Sequence, residues 1–200
     1  MVRDLRDHTS ERILIALTGH TNGIGKEVFS RIGADAIGFS TSNGYDITSP
    51  SSRRKIIDQV QDCEIFINNA QAGYGQVDLL IELFQAWKDQ PRLIVNVGSR
   101  IAEVTLPSHR LHLLHYSAQK KALKATVAEL QGYVCAVEYV WFAYVGTEKI
   151  LAKYPHFTTG DYITVPAAAD IIMQPVQDYL KRNGSGLLPA SLSLLASGQA

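Results

Sequence analysis

The chain has 200 residues, its 19 basic residues balance its 19 acidic ones, and hydrophobic residues make up 46% of it. This length is typical of one domain with a sizeable core, and the balanced charge excludes the strong positive field of a nucleic-acid-binding protein. No apolar run reaches the roughly 18 residues that a membrane span requires. We therefore expect one domain over residues 1–200, with neither a nucleic-acid nor a membrane partner.

The start of the chain and its two cysteines bear on the cellular compartment. Residues 1–12 are charged and lack the apolar segment of a signal peptide. Cys63 and Cys135 fall in apolar segments, so we expect two reduced core thiols rather than a disulfide. These features predict a cytoplasmic protein.

Short apolar runs alternate with helical patterns along the chain. The apolar runs predict strands at 13–17, 36–39, 64–67, 92–97 and 133–142. The helical patterns predict helices at 23–32, 50–61, 77–88 and 116–132. The strands are apolar throughout, as in a parallel sheet that is covered on both faces. The expected fold class is therefore α/β, with a doubly wound parallel sheet in a three-layer, Rossmann-like single domain.

A glycine-rich turn joins the first predicted strand to the first predicted helix. Gly19, Gly23 and Gly25 stand in Thr-Gly-His-Thr-Asn-Gly-Ile-Gly. Glycine lets the backbone approach a pyrophosphate closely, and the free N–H groups at a helix N-terminus bind its charge. The strand–turn–helix context predicts a nucleotide site, although a simple packing turn also needs glycine.

The end of the second predicted strand bears on which nucleotide is bound. An acidic residue at this place binds the ribose hydroxyls in NAD sites. Here Ser40, Thr41 and Ser42 follow the strand, and no acidic residue occurs before Asp46. The hydroxyls could donate to a 2′-phosphate, which favours NADP over NAD, or they could form only a polar turn.

Tyr116 and Lys120 are four residues apart in a predicted helix, and Ser99 follows the fourth predicted strand. Residues at this spacing share a helix face, so we expect the Lys120 ammonium to lower the pKa of the Tyr116 phenol. Such a phenol can act as a general acid or base. Beside a dinucleotide turn, these residues predict proton transfer coupled to hydride transfer. The alternative is a packed tyrosine beside a surface lysine.

These motifs together resemble the short-chain dehydrogenase/reductase family over residues 13–150. The glycine-rich turn at 18–25 is similar to the family's Thr-Gly-x-x-x-Gly-x-Gly, and Asp46-Ile47-Thr48 to the segment that contacts adenine. Asn68-Asn69-Ala70 resembles the strand end that borders the cofactor. Asn96-Val97-Gly98-Ser99 and the Tyr116/Lys120 pair resemble the catalytic segments.

The resemblance implies an NAD(P)-dependent oxidoreductase that reduces a carbonyl or oxidises an alcohol of small-molecule size. It implies that Tyr116 exchanges the proton, Ser99 orients the carbonyl, and Lys120 binds the nicotinamide ribose. It implies a homodimer or homotetramer that pairs through the helices near 77–88 and 116–132. The implied cofactor contacts are Gly19, Thr21, Asn22, Gly23, Ile24, Ser40, Thr41, Ser42, Asp46, Ile47, Asn69, Ala70, Tyr116, Lys120, Val145 and Thr147.

Several positions depart from the family pattern. Gln71 replaces a glycine beside the cofactor, Asp78 aligns nearest to the asparagine of the family's proton relay, and the turn at 142–147 is altered. These departures keep two other functions open. One is a catalytically weak nucleotide-binding regulator or scaffold, and the other is an epimerase or dehydratase on the same fold.

The segments near 100–115 and 148–165 are the expected substrate loops. His109, His112 and His115 recur at three-residue spacing in the first of them. No carboxylate lies among them, which favours loop or subunit-contact histidines over a metal site. Arg100, next to Ser99, could hold an anionic substrate or face solvent.

Overall fold

The computed structural model describes residues 13–183. The charged start at 1–12 and the last residues, 184–200, lie outside the described residues. The expectation of one domain over residues 1–200 therefore stays a prediction. None of the helices within residues 13–183 combines the length and the hydropathy that crossing a bilayer requires.

A parallel sheet of five strands forms the centre of the fold, in the order β2-β1-β3-β4-β5. The strands are β1 Ile15–Thr18, β2 Ala36–Phe39, β3 Ile65–Asn68, β4 Leu93–Val97 and β5 Ala136–Val140. All five were predicted, and the doubly wound α/β fold is confirmed. The chain order reverses between β1 and β3, and a crevice at the carboxyl ends of such strands is where ligands bind in this kind of fold.

Six α-helices connect and follow these strands in the described part of the chain. They are α1 Gly23–Ile32, α2 Pro50–Gln59, α3 Gly75–Trp87, α4 Leu114–Glu129, α5 Glu148–Lys153 and α6 Val165–Arg182. The first four were predicted, with ends that differ by up to three residues. The sequence patterns did not predict α5 or α6, so the segment expected as a loop at 148–165 in fact contains a helix.

The core has two parts, one on each face of the sheet. Alternate strand residues divide between them, so Ile65 and Ile67 face one part and Phe66 faces the other. The first part packs against α1 and α6, and the second packs against α2, α3 and α4. This three-layer arrangement leaves the carboxyl edge of the sheet free for a site.

Both cysteines are buried and free, as the sequence predicted. Burial raises the pKa of the Cys63 thiol to about 11 and that of Cys135 to about 12. Both thiols are therefore protonated at neutral pH and act as packing groups.

Candidate active site

The glycine-rich turn between β1 and α1 needs its glycines for steric reasons. The φ angle is 75° at Gly19 and 52° at Gly23, in the left-handed region that side chains disfavour. A Cβ atom on Gly25 would lie 2.0 Å from the carbonyl oxygen of Gly19. The Gly19 N–H donates to Phe39 O at 2.7 Å, which ties the turn to the end of β2.

The N-terminus of α1 offers backbone donors to an anion. Asn22 is the N-cap residue, but its side chain makes no capping hydrogen bond, and the first turn contains no acidic residue. The first N–H groups of a helix have no partner within the helix, and the helix dipole favours negative charge there. The flanking residues Thr21, Asn22, Gly23 and Ile24 therefore fit the pyrophosphate of a dinucleotide.

The turn after β3 is fixed to this glycine-rich turn by hydrogen bonds. Thr18 Oγ1 accepts from the backbone N–H groups of Asn69 at 3.0 Å and Ala70 at 2.9 Å. Asn69 Nδ2 donates to Thr18 O at 3.0 Å. The structure thus brings the predicted cofactor residues Asn69 and Ala70 to the crevice between β1 and β3.

The segment after β5 packs against the glycine-rich turn. The methyl carbon Cγ2 of Thr147 lies 3.1 Å from where a Cβ on Gly23 would be. Thr147 is also the N-cap of α5, where its hydroxyl accepts from Ile150 N at 3.4 Å. Val145 is buried two residues earlier. Residues far apart in sequence therefore meet at the amino end of α1.

The turn that follows β2 is neutral and internally bonded. Ser40 and Ser42 share a hydrogen bond between their hydroxyls at 2.7 Å, and Ser40 N donates to Asn43 Oδ1 at 2.7 Å. Thr41 and Ser42 are exposed, so their hydroxyls can meet a ligand. No acidic side chain is found from residue 40 to residue 45 that could bind ribose hydroxyls.

Asp46 and Ile47 lie beyond that turn and have different roles. Asp46 Oδ1 accepts from the backbone N–H of Thr48 at 2.9 Å and from its hydroxyl at 2.8 Å. Both hydrogen bonds lower the pKa of Asp46 below its usual value, and the bond from the backbone N–H has the larger effect. Ile47 is buried, and its carbonyl oxygen packs closely against Gly75.

Ser99 and Tyr116 meet where β4 ends. Ser99 is only 8% exposed, and its Oγ accepts from Ile101 N at 3.4 Å. Tyr116 is partly buried in the first turns of α4. Burial raises the pKa of Tyr116 above its usual value, and a hydrogen bond with the Ser99 side chain opposes this rise. The phenol is therefore protonated at neutral pH and can donate a proton.

The expectation that Lys120 lowers the pKa of Tyr116 is wrong for this structure. The Lys120 ammonium lies 5.9 Å from the centre of the Tyr116 ring, and the pKa of the phenol is raised, chiefly by burial, rather than lowered. The ammonium donates two hydrogen bonds to residues other than Tyr116. Nζ donates to Gln76 Oε1 at 2.7 Å and to Val97 O at 3.0 Å.

Lys120 itself is buried, with 3% of its surface exposed. Burial lowers the pKa of its ammonium to about 8. A lysine with a pKa of about 8 loses part of its charge at mildly alkaline pH. The charge of Lys120 can therefore change with pH, rather than staying fixed.

Asp78, the residue that aligned nearest to the relay asparagine, does not contact Lys120. Its carboxylate lies 3.6 Å from the Arg53 guanidinium, which also pairs with Glu82 at 2.8 Å. Gln76, two residues earlier in α3, contacts the lysine instead. Sequence reasoning missed Gln76, because a glutamine at the start of an apolar helix is usually exposed and nothing local marks it as buried.

The remaining candidates lie at the surface. Arg100, His109, His112 and His115 are exposed. Within residues 13–183, no group of three or more His, Cys, Asp or Glu side chains is arranged to hold a metal ion. Gln71 is exposed and donates through Nε2 to Gln119 Oε1 at 2.7 Å, which links the turn after β3 to α4.

Solved structures of short-chain dehydrogenases share this architecture. A short chain dehydrogenase from Burkholderia cenocepacia J2315 in complex with NADP is 18% identical, with a TM-score of 0.65 over 94% of this chain and 97% of that chain. A variant of the actinorhodin polyketide ketoreductase with NADPH is 17% identical, with a TM-score of 0.65 over 88% and 93% of the two chains.

A third solved structure carries the other dinucleotide. A short chain dehydrogenase/reductase from Burkholderia phymatum in complex with NAD is 15% identical, with a TM-score of 0.62 over 84% of this chain and 87% of that chain. No protein-family model matches the sequence, and no curated protein is significantly similar to it. The chain therefore has the fold of the short-chain dehydrogenases/reductases, as its motifs predicted.

Proposed function

We propose that this protein is an NAD(P)-dependent oxidoreductase of the short-chain type that reduces the carbonyl group of a small molecule. The observation that carries the proposal is the meeting of Ser99, Tyr116 and Lys120 at the carboxyl edge of the sheet. Tyr116 is protonated at neutral pH, as a proton donor in reduction must be. The reverse oxidation requires a phenolate, which burial disfavours.

Each residue has a separate role in this reaction. The Ser99 hydroxyl donates to the carbonyl oxygen and orients it, and Tyr116 gives its phenolic proton to that oxygen as negative charge develops there. A lysine ammonium has three donors, and Lys120 uses two of them on Gln76 and Val97. The third is free to bind a ribose hydroxyl. A reduced nicotinamide, when bound, supplies the hydride.

The cofactor proposed is NADPH rather than NADH. The neutral turn at 40–43 offers the exposed hydroxyls of Thr41 and Ser42 but no carboxylate that would repel a 2′-phosphate. The solved neighbours that contain NADP and NADPH support this preference, and the NAD-bound neighbour keeps NADH as the alternative. A homodimer or homotetramer, as the motifs implied, is part of the same proposal.

Incubation of the purified protein with NADPH and a panel of aldehydes and ketones tests this function. We expect NADPH to be consumed and an alcohol to form in equal amounts, with no consumption when the carbonyl is omitted. NADPH binding without turnover on any carbonyl would instead support the regulator or scaffold. A product formed without net NADPH consumption would support the epimerase or dehydratase.

A further inference from the structure

The side chain of Gln76 lies in the interior, although it is a polar residue near the start of α3. It is 2% exposed, between the ends of β3 and β4 and the lysine on α4. Its Nε2 donates to Asn68 O at 2.7 Å and to Val97 O at 3.0 Å. Its Oε1 accepts from Lys120 Nζ at 2.7 Å. Two of the three groups that this amide contacts are backbone carbonyls at the ends of β3 and β4, which the sheet fixes.

These contacts determine which way the amide faces. The NH₂ group has two donors, and both meet backbone carbonyls, which can only accept. A flipped amide would place its oxygen against those two carbonyls and its NH₂ against an ammonium, so every contact would be repulsive. The amide oxygen must therefore face Lys120. No other side chain of this length supplies two donors on one side and an acceptor on the other.

The position of the Gln76 side chain depends on Gly75, the residue before it. A Cβ atom on Gly75 would lie 2.5 Å from the carbonyl oxygen of Ile47. The first turn of α3 therefore sits directly on the segment after β2, which lets the next side chain reach beneath the helix to the ends of β3 and β4. Asn68 Nδ2 donates back to Gln76 O at 2.9 Å and fixes the same turn from below.

Acidic residues on two of the elements that pack against α4 are paired elsewhere. Asp78 on α3 faces Arg53, and Glu103 in the segment after β4 pairs with Lys124. No salt bridge within residues 13–183 includes Lys120. The titratable groups that face this region are the phenols of Tyr116 and Tyr139, and burial raises the pKa of both.

We propose that Gln76 is a positioning residue, which holds the Lys120 ammonium beside Tyr116 through a neutral amide and leaves one N–H free for the cofactor. The contact with lysine stands on geometry alone, and its consequence for turnover rests on the proposed function. Because the partner is an amide and not a carboxylate, the ammonium has hydrogen bonds but no negative charge to offset the loss of water around it. The low pKa of Lys120, about 8, agrees with this arrangement.

The test replaces the amide by a carboxylate of the same size. In Gln76→Glu, the new negative charge favours the ammonium, so the pKa of Lys120 should rise by about 1 to 3 pH units. The matched control is Gln85→Glu, which adds the same charge to an exposed position of the same helix. The readout is NMR titration of protein that carries ¹³C-labelled lysine, with the Lys120 signal assigned by its loss in Lys120→Met.

A second variant separates positioning from a merely structural role. Gln76→Met keeps the length but removes the acceptor, so the pKa of Lys120 should stay near 8 or fall. Turnover at neutral pH should fall by about 10- to 100-fold, because the lysine loses its fixed position. A structural role alone would make both variants alter stability without raising the pKa of Lys120 in Gln76→Glu.

The pH dependence of turnover should shift in the same direction as the pKa of Lys120. Lys120 is charged below its pKa, so NADPH-dependent activity of the wild type should decline as pH rises through about 8. In Gln76→Glu this decline should move to higher pH, together with the NMR midpoint. An unmoved NMR midpoint in Gln76→Glu would overturn the inference. Absence of any NADPH turnover in the wild type would overturn only the proposed function, because the titration decides on Gln76 without it.

Discussion

Replacement of Tyr116 by phenylalanine should nearly abolish carbonyl reduction while NADPH still binds. The variant removes only the phenolic hydroxyl, and loss of a general acid lowers turnover by about 10²- to 10⁴-fold. The ring that packs at the start of α4 is kept, so the fold and the cofactor crevice should be unchanged. The measurement is the rate of NADPH consumption with the best carbonyl of the panel, beside the NADPH dissociation constant.

The matched control is Tyr133→Phe, which removes a phenolic hydroxyl from a residue that is 54% exposed. Tyr133 packs edge-on against Phe84, and phenylalanine keeps that contact. This control should retain full activity. Equal loss of turnover and of NADPH binding in Tyr116→Phe would contradict the role of proton donor, because it would indicate damage to the whole site.

Replacement of Gly25 by alanine should abolish dinucleotide binding and destabilise the protein. The added Cβ would lie 2.0 Å from Gly19 O and 2.7 Å from Asn69 Nδ2, so the backbone of the turn must move. Overpacking of this kind lowers the free energy of unfolding by about 1–3 kcal/mol. Gly160→Ala is the matched control, because the nearest atom to its added Cβ is 3.9 Å away. Chemical denaturation and NADPH titration measure the two effects.

A second variant keeps this prediction testable if Gly25→Ala does not fold. Asn22→Asp places a carboxylate at the N-cap of α1, where it should maintain or raise stability by satisfying the helix N–H groups. The same carboxylate would repel a pyrophosphate, so NADPH binding should weaken. Unchanged NADPH affinity in Asn22→Asp would place the dinucleotide somewhere other than this turn.

The sequence predicted the sheet well, because its strands are short, continuously apolar and separated by clear turns. The glycine-rich turn could also be placed, since glycines at those positions follow a strand and open a helix. The long helix α6 was missed. Pro166 in its first turn and Pro175 in its interior break the helical pattern, yet Thr164 caps its start and its apolar face packs on the sheet.

The catalytic constellation was recognised from the sequence, but its electrostatics were not. Helical spacing correctly placed Tyr116 and Lys120 on one side of α4, but spacing carries no information about burial. Burial raises the pKa of the phenol and lowers that of the ammonium, which the sequence pattern could not reveal. The partner of Lys120 was also missed, because Gln76 lies 44 residues away and only the folded chain brings them together.

We expect the turn between β1 and α1 to hold a dinucleotide. Titration of NADPH and NADH against the thermal stability of the purified protein measures this binding. A ligand that binds only the folded state raises the free energy of unfolding by about 2.7 kcal/mol when its concentration is 100 times its dissociation constant. We expect NADPH to raise the melting temperature by much more than NADH does. An unchanged melting temperature with both dinucleotides would mean that this turn binds neither of them.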